Sequence, residues 1–226
     1  MSYLFLHQMR KEKVMQIAII GTGNVGSAIA RGLKGRGHEV SLGVRDLSRP
    51  DLVTLAKEVG ARLRRPREAA QAAEIVILAL PWDKAESAVK ALGDLSDKIV
   101  IDCMNPLAII DGTLSLALGH TTSGAEQVQA WLPGARVVKT LNQVGAEIMQ
   151  DNARLPHRPA QFMAGDEEAA KVAVAILLRD LGFEPFDAGA LKRARLLEPL
   201  AMVWINQALL RGKGRNWALA AVSPAA

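Results

Sequence analysis

The chain has 226 residues, half of them hydrophobic, and 28 Lys and Arg against 23 Asp and Glu give it a formal charge of +5. That is the profile of a globular protein with a sizeable core. A single cysteine, Cys103, excludes an intrachain disulfide framework and a cysteine-rich metal site, and no apolar run reaches the roughly 20 residues that cross a bilayer.

Residues 1–13 read as a loose N-terminal extension. Their apolar start comes before the charged Arg10-Lys11-Glu12-Lys13, the reverse of a secretory signal, so the cytoplasm is the expected compartment. Val14 to Ile20 is an apolar run stopped by glycine and reads as a buried strand. Asn24 to Lys34 follows as a helix with Ala28, Ile29 and Leu33 on one side. Glu39 to Val44 is a second strand, Asp51 to Val59 a helix ended by Gly60, and Ala61 to Arg64 a short strand. Glu74 to Leu80 is the strongest strand, stopped by Pro81. A helix over Asp83 to Leu92, a strand over Lys98 to Cys103, a helix over Ser123 to Leu132 and a strand over Arg136 to Thr140 complete the alternation.

Apolar strands alternating with helices predict an α/β fold of Rossmann type: a doubly wound, mostly parallel sheet covered on both faces. We place this domain at residues 14–150. Residues 151–226 read as a small α/β and helical extension. It has short strands over Gln161–Ala164 and Glu184–Asp187, and between them a helix capped by Asp166 and ended by Gly182. A Leu- and Trp-rich helix from Leu191 to about Leu210 follows, which Pro199 either kinks or restarts.

Gly21-Thr22-Gly23-Asn24-Val25-Gly26 has the G-x-G-x-x-G spacing, and it lies between a buried strand and a helix, where a dinucleotide fingerprint belongs. The first glycine permits the turn, the second lets the backbone approach a pyrophosphate, and the third lets helix and strand pack closely. The helix N-terminus offers free N–H groups to phosphate, and Asn24 is placed to cap it. The second strand ends Leu42-Gly43-Val44-Arg45. An NAD site usually has a carboxylate there; here Val44 takes that position, and Arg45, with Arg49 a turn later, suits a 2′-phosphate. Asp46 leaves the alternative of an NAD ribose acid, or a surface pair with Arg45. NADP(H) is the expected cofactor. The arginines over 62–67 read as solvated surface, and no nucleic-acid partner is expected.

Residues 20–30 (IGTGNVGSAIA) and Gly43-Val44-Arg45 resemble the coenzyme F420-dependent NADP oxidoreductases. Further matches are Leu80-Pro81-Trp82, Val138 to Asn142, Ala164-Gly165-Asp166, and Phe186 to Gly189 with Ala194-Arg195-Leu196-Leu197-Glu198. The same stretch resembles the reductase part of six-transmembrane metalloreductases. The resemblance implies that Thr22, Asn24 and Val25 line the pyrophosphate and ribose, that Arg45 and Arg49 hold the 2′-phosphate, and that Leu80, Pro81 and Asn105 flank the nicotinamide side. It places Asn142, Val144 and Ala146 on the wall near the nicotinamide. Val44 replaces the family's usual serine, and Asn142 stands where the deazaflavin enzymes carry histidine and the metalloreductases asparagine. The second substrate it implies is coenzyme F420 or a flavin.

Hydride transfer to a flavin-like ring needs stacking and dryness more than acid–base help. Leu191, Leu196, Leu200, Met202, Val203 and Trp204 are candidates for such a pocket, or for a core or dimer face. No catalytic acid or base is assigned. His38 reads as surface, His120 and His157 as loop residues, Lys139 as structural or phosphate-adjacent, and Asp102 as a cap; no spacing suggests a metal. The expected function is hydride transfer between NADPH and a flavin or deazaflavin. The alternatives are reduction of a small carbonyl or imine, and a non-catalytic NADP(H)-sensing module. A homodimer is expected by analogy.

Overall fold

The computed structural model describes residues 14–224, so the extension expected over residues 1–13 lies outside the described residues. β1 (Gln16–Ile20), α1 (Asn24–Gly32), β2 (Glu39–Gly43), α2 (Pro50–Val59) and β3 (Arg62–Arg64) form the first half of the fold. α3 (Pro66–Ala72), β4 (Ile75–Leu78), α4 (Trp82–Lys90) and β5 (Ile99–Asp102) lead into the second half. There follow a hairpin, β6 (Leu107–Ile110) with β7 (Thr113–Leu116), then α5 (Gly124–Trp131), β8 (Arg136–Lys139) and α6 (Ala146–Gln150). The chain closes with β9 (Ala160–Gly165), α7 (Glu168–Asp180), β10 (Glu184–Asp187) and α8 (Ala194–Ile205), the last flanked by a 3₁₀ turn and a π-helical turn.

The sheet order is β10-β9-β8-β5-β4-β1-β2-β3. The six strands from β3 to β8 are parallel and carry the Rossmann order; β9 joins β8 antiparallel, and β10 pairs β9 parallel. Continuous apolar strands are explained by a core on each face. Ile17, Ile19, Leu42, Ile77 and Val138 pack against α1, α2, α6 and α7. Ala18, Ile20, Val76, Leu78 and Val100 point the other way, against α3, α4 and α5. Burying one such large aliphatic side chain is worth roughly 1.5–3 kcal/mol, which fixes the strand register because a one-residue slip exchanges the two sets.

The C-terminal part continues this sheet. Gly165 N–H donates to the Gly189 carbonyl at 3.0 Å, and Leu191 N–H to Asp166 Oδ1 at 2.9 Å. Asp166 therefore anchors the approach to α8 and does not cap α7, whose N-cap is Glu167 with no side-chain hydrogen bond. Pro199 sits inside α8 without ending it. No helix among the described residues is long and apolar enough to cross a membrane.

Candidate cofactor and acceptor site

The chain reverses direction across the sheet between β1 and β4, and the Gly21–Gly26 loop lies at the carboxyl end of β1, beside this switch. Gly21 has φ +100, and a Cβ there would lie 2.3 Å from the Ala79 carbonyl oxygen; a Cβ on Gly26 would lie 1.8 Å from the Gly21 oxygen. Both glycines are required by backbone contact. Gly23 differs, because a Cβ there would meet nothing within 4 Å. That open space adjoins a cavity of about 400 Å³ bounded by Thr22, Asn24, Ser27, Glu147 and Gln150. Gly23 is the N-cap of α1, no side chain caps that end, and no acidic residue occupies the first turn. Asn24 does not make the expected cap, and the first-turn N–H groups have no side-chain cap. Ser27 Oγ donates to the Thr22 carbonyl at 3.0 Å and ties the loop to its helix.

At the end of β2, Val44 is buried and its N–H donates to the Arg64 carbonyl at 2.9 Å, so it brings no polar group to the rim. Arg45 is exposed, and among the described residues its guanidinium meets no carboxylate. Asp46 is not its ion-pair partner. Asp46 Oδ1 accepts from Ser48 N–H at 2.9 Å and Ser48 Oγ at 2.6 Å, and these bonds hold its carboxyl below the usual range. Arg49 is held by Asp51 through two bonds, 2.8 and 2.6 Å.

At the other end, β5 and β8 finish side by side. Asn105 Nδ2 donates to the Asn142 carbonyl at 2.9 Å, and Asn142 Nδ2 returns a bond to Asn105 Oδ1 at 3.0 Å. Asn142 Nδ2 also reaches the Leu197 carbonyl on α8 at 3.1 Å, while its Oδ1 accepts from Gln143 at 2.9 Å. Leu141, fully buried, turns the chain into this clasp at φ +56, a conformation costly for a residue with a side chain. Val144 and Ala146 are buried just behind it, and Leu80 and Pro81 form the β4 side of the same rim.

Beneath the clasp lies a buried charge cluster. Lys139 Nζ lies 2.9 Å from Asp102 Oδ2 and 3.0 Å from Glu198 Oε1, and it donates to the Met104 carbonyl. Burial opposes the Lys139 charge, but the two carboxylates outweigh it and raise its pKa above the ordinary value. Glu198 also accepts the N–H groups of Gly124 and Ala125 at 3.0 and 3.3 Å, so it caps α5 from a distant helix.

A family model described as NADP oxidoreductase coenzyme F420-dependent matches residues 16–106, which carry the phosphate loop, Arg45, Pro81 and Asn105. A crystal structure of a candidate F420-dependent NADP-reductase from Arthrobacter sp. FB24 is 36% identical, covers 92% of this chain and 100% of its own, and superposes with a TM-score of 0.81. The chain belongs to the F420-dependent NADP oxidoreductase family. Like the rest of that family it is an NADP-dependent oxidoreductase with a Rossmann-type fold. A Sinorhizobium meliloti protein of no stated function, SMa0349, is 27% identical with a TM-score of 0.68, covering 85% of this chain and 92% of its own. Metalloreductase STEAP3 of Rattus norvegicus is 29% identical over 192 residues, 83% of this chain, and the chain spans about a third (36%) of that protein's length.

Several residues of this family member have roles that sequence reasoning missed. Glu198 and Arg195 look like a local motif, yet their partners are remote: Arg195 holds Glu126 on α5 through bonds of 2.9 and 2.6 Å. Together they bolt α8 onto the Rossmann core. Lys139 is structural and fully sealed, with no phosphate role; Asp102 pairs with it and caps Met104 N–H at 2.9 Å. His38 is not a surface residue. Its side chain is 3% exposed, accepting from Met15 N–H and lying 3.3 Å from Asp180. Of the expected pocket residues, Leu196 and Val203 face solvent, while Trp204 stacks on Trp217 in a separate small core that also takes Leu107 and Leu114 of the hairpin. Asp111-Gly112, both with positive φ (50 and 74), is the signal that could have revealed that hairpin. No group of three metal-ligating side chains occurs among the described residues.

Proposed function

We propose that the protein passes hydride between NADPH and a flavin or deazaflavin ring. NADPH supplies the hydride from its nicotinamide; the chain's task is to hold two planar rings in contact and keep water out. Residues 14–150 hold the cofactor, with Gly21 to Gly26 on the pyrophosphate, Arg45 on the 2′-phosphate, and Leu80, Pro81, Asn105, Asn142, Val144 and Ala146 around the nicotinamide. Arg49 would have to release Asp51 to join them. The part from residue 151 onward completes the acceptor pocket, which is supported by α8 supplying the Leu197 carbonyl to Asn142.

The observation that carries this reading is the state of the β5–β8 rim. The Asn142 carboxamide is bonded to Asn105, the Leu197 carbonyl and Gln143, Asn105 Nδ2 donates to the Asn142 backbone carbonyl, and the nearest ammonium, Lys139, is sealed between carboxylates. Carbonyl reduction needs a proton donor within hydrogen-bond reach; ring-to-ring hydride transfer does not. Mixing the NADPH complex rapidly with the deazaflavin, FMN, FAD and a panel of small carbonyls and imines tests the reading. Loss of nicotinamide absorbance with a flavin-like ring is expected. Turnover of only carbonyls or imines, or of nothing, contradicts it. Leu196 and Val203 on α8, 61% and 59% exposed, are the face on which two copies would pair; a monomer in sedimentation equilibrium would remove that part of the proposal.

A further inference from the structure

The β2–β3 rim carries more positive charge than its own carboxylates neutralise. Asp46 is turned to Ser48, and Asp51 occupies Arg49. Glu68 accepts the backbone N–H of Arg65 at 3.3 Å, closing the N-terminus of α3, and does not pair with the Arg65 guanidinium. Two guanidinium groups, Arg45 and Arg65, are thus left without a carboxylate hydrogen-bonded to them among the described residues. They are also tied together. β2 and β3 run parallel with Gly43 opposite Arg64, so Arg65 emerges beside Val44 and Arg45, and Arg65 Nη1 donates to the Arg45 carbonyl. Both side chains are exposed at the carboxyl edge of the sheet, the edge on which the phosphate loop opens. Asp46 lies within electrostatic reach of Arg65 but makes its hydrogen bonds to Ser48, and a guanidinium with one N–H used still has four to offer.

We propose that Arg65 is the second guanidinium on the 2′-phosphate of NADP(H), the role that sequence spacing gives to Arg49. This rests on the placement of the 2′-phosphate beside Arg45. The phosphate dianion then lies between a residue of the β2 loop and a residue of the β3 loop. NADP selection is spread over two strands, and the β3 contribution is invisible to any motif confined to the end of β2. Arg49, four residues from Arg45 in sequence, instead serves the start of α2 through Asp51.

The test is binding, by calorimetry, of NADPH, NADH and the fragment 2′,5′-ADP to the wild type and to Arg65→Ala, Arg65→Gln, Arg49→Ala, Arg45→Ala and the Arg45→Ala/Arg65→Ala double variant. Losing a charge-assisted hydrogen-bonding partner is expected to weaken NADPH and 2′,5′-ADP about tenfold in both Arg65 variants. NADH should stay within about twofold, and Arg49→Ala should cost less than Arg65→Ala. The double variant should bind NADPH more weakly than Arg45→Ala alone. If the double equals Arg45→Ala, Arg65 acts only by steadying the Arg45 loop and the direct contact is overturned. Equal weakening of NADPH and NADH, or a larger effect at Arg49, overturns it as well. A wild type that binds NADPH and NADH equally defeats the 2′-phosphate placement itself, whichever variant is examined.

Discussion

At the β2–β3 rim the charged residues are exposed: Arg49 pairs with Asp51 two residues on, Asp46 bonds to Ser48, and Arg65, 20 residues from Arg45, reaches the Arg45 backbone carbonyl. At the β5–β8 rim they are sealed and come from far apart in the chain: Lys139 from β8, Asp102 from β5, Glu198 from α8. The two ends of one cleft therefore do different work. Exposed pairs contribute about 0–1 kcal/mol each and exchange readily for a ligand's charge. A buried pair stripped of one partner costs about 3–5 kcal/mol, so it holds shape and cannot serve as a binding group. On the proposed reading, one rim would select the cofactor and the other would fix the wall beside its nicotinamide.

Breaking the buried rim should have the largest effect. Lys139→Met leaves Asp102 and Glu198 buried together without their cation, and chemical denaturation should show a loss of about 3–5 kcal/mol. A loss below about 1 kcal/mol would mean that the cluster does not carry the load assigned to it.

The phosphate loop should split into two kinds of glycine. Gly26→Ala forces a Cβ into the Gly21 carbonyl and should cost at least about 1–3 kcal/mol of stability along with cofactor binding. Gly23→Ala meets no protein atom, so thermal unfolding should be unchanged while NADPH affinity falls about tenfold. An intact affinity in Gly23→Ala would remove the pyrophosphate from this loop.

A smaller, pH-dependent effect is expected where α8 meets α5. The hydrogen bond from Arg195, working against burial, lowers the pKa of Glu126 below its ordinary value. A carboxylate with a depressed folded-state pKa adds stability above its unfolded pKa and loses it as pH falls through the folded one. Arg195→Ala should thus lower stability at neutral pH, and the difference from wild type should vanish in acid. A difference that persists unchanged at pH values below both pKa values would show that Arg195 acts through packing and not through Glu126.

What could be read from the sequence follows the same division. The turn of Gly21–Gly26 from β1 into α1 is legible because strand, turn and helix are contiguous, and the exposed position of Arg45 because it follows its strand directly. The Lys139 cluster was not, since its members are 37 and 59 residues from Lys139 and no local pattern links them. Arg65 was hidden within an arginine-rich stretch that reads as plain surface until β3 is seen lying beside β2. Arg49 was drawn in by helical spacing, but Asp51, also in sequence reach, takes its guanidinium. Asn105 and Asn142 were found through family resemblance; that they bond to each other needed the parallel pairing of β5 with β8.

We propose that the exposed rim selects NADP through guanidiniums that no carboxylate holds by hydrogen bond among the described residues. The most direct measurement is the ratio of NADPH to NADH affinity in the wild type and in Arg45→Ala. The wild type should favour NADPH, and Arg45→Ala should lower NADPH affinity about 10- to 100-fold while leaving NADH nearly unchanged. Equal affinities in the wild type, or an Arg45→Ala protein that keeps its preference, would contradict it.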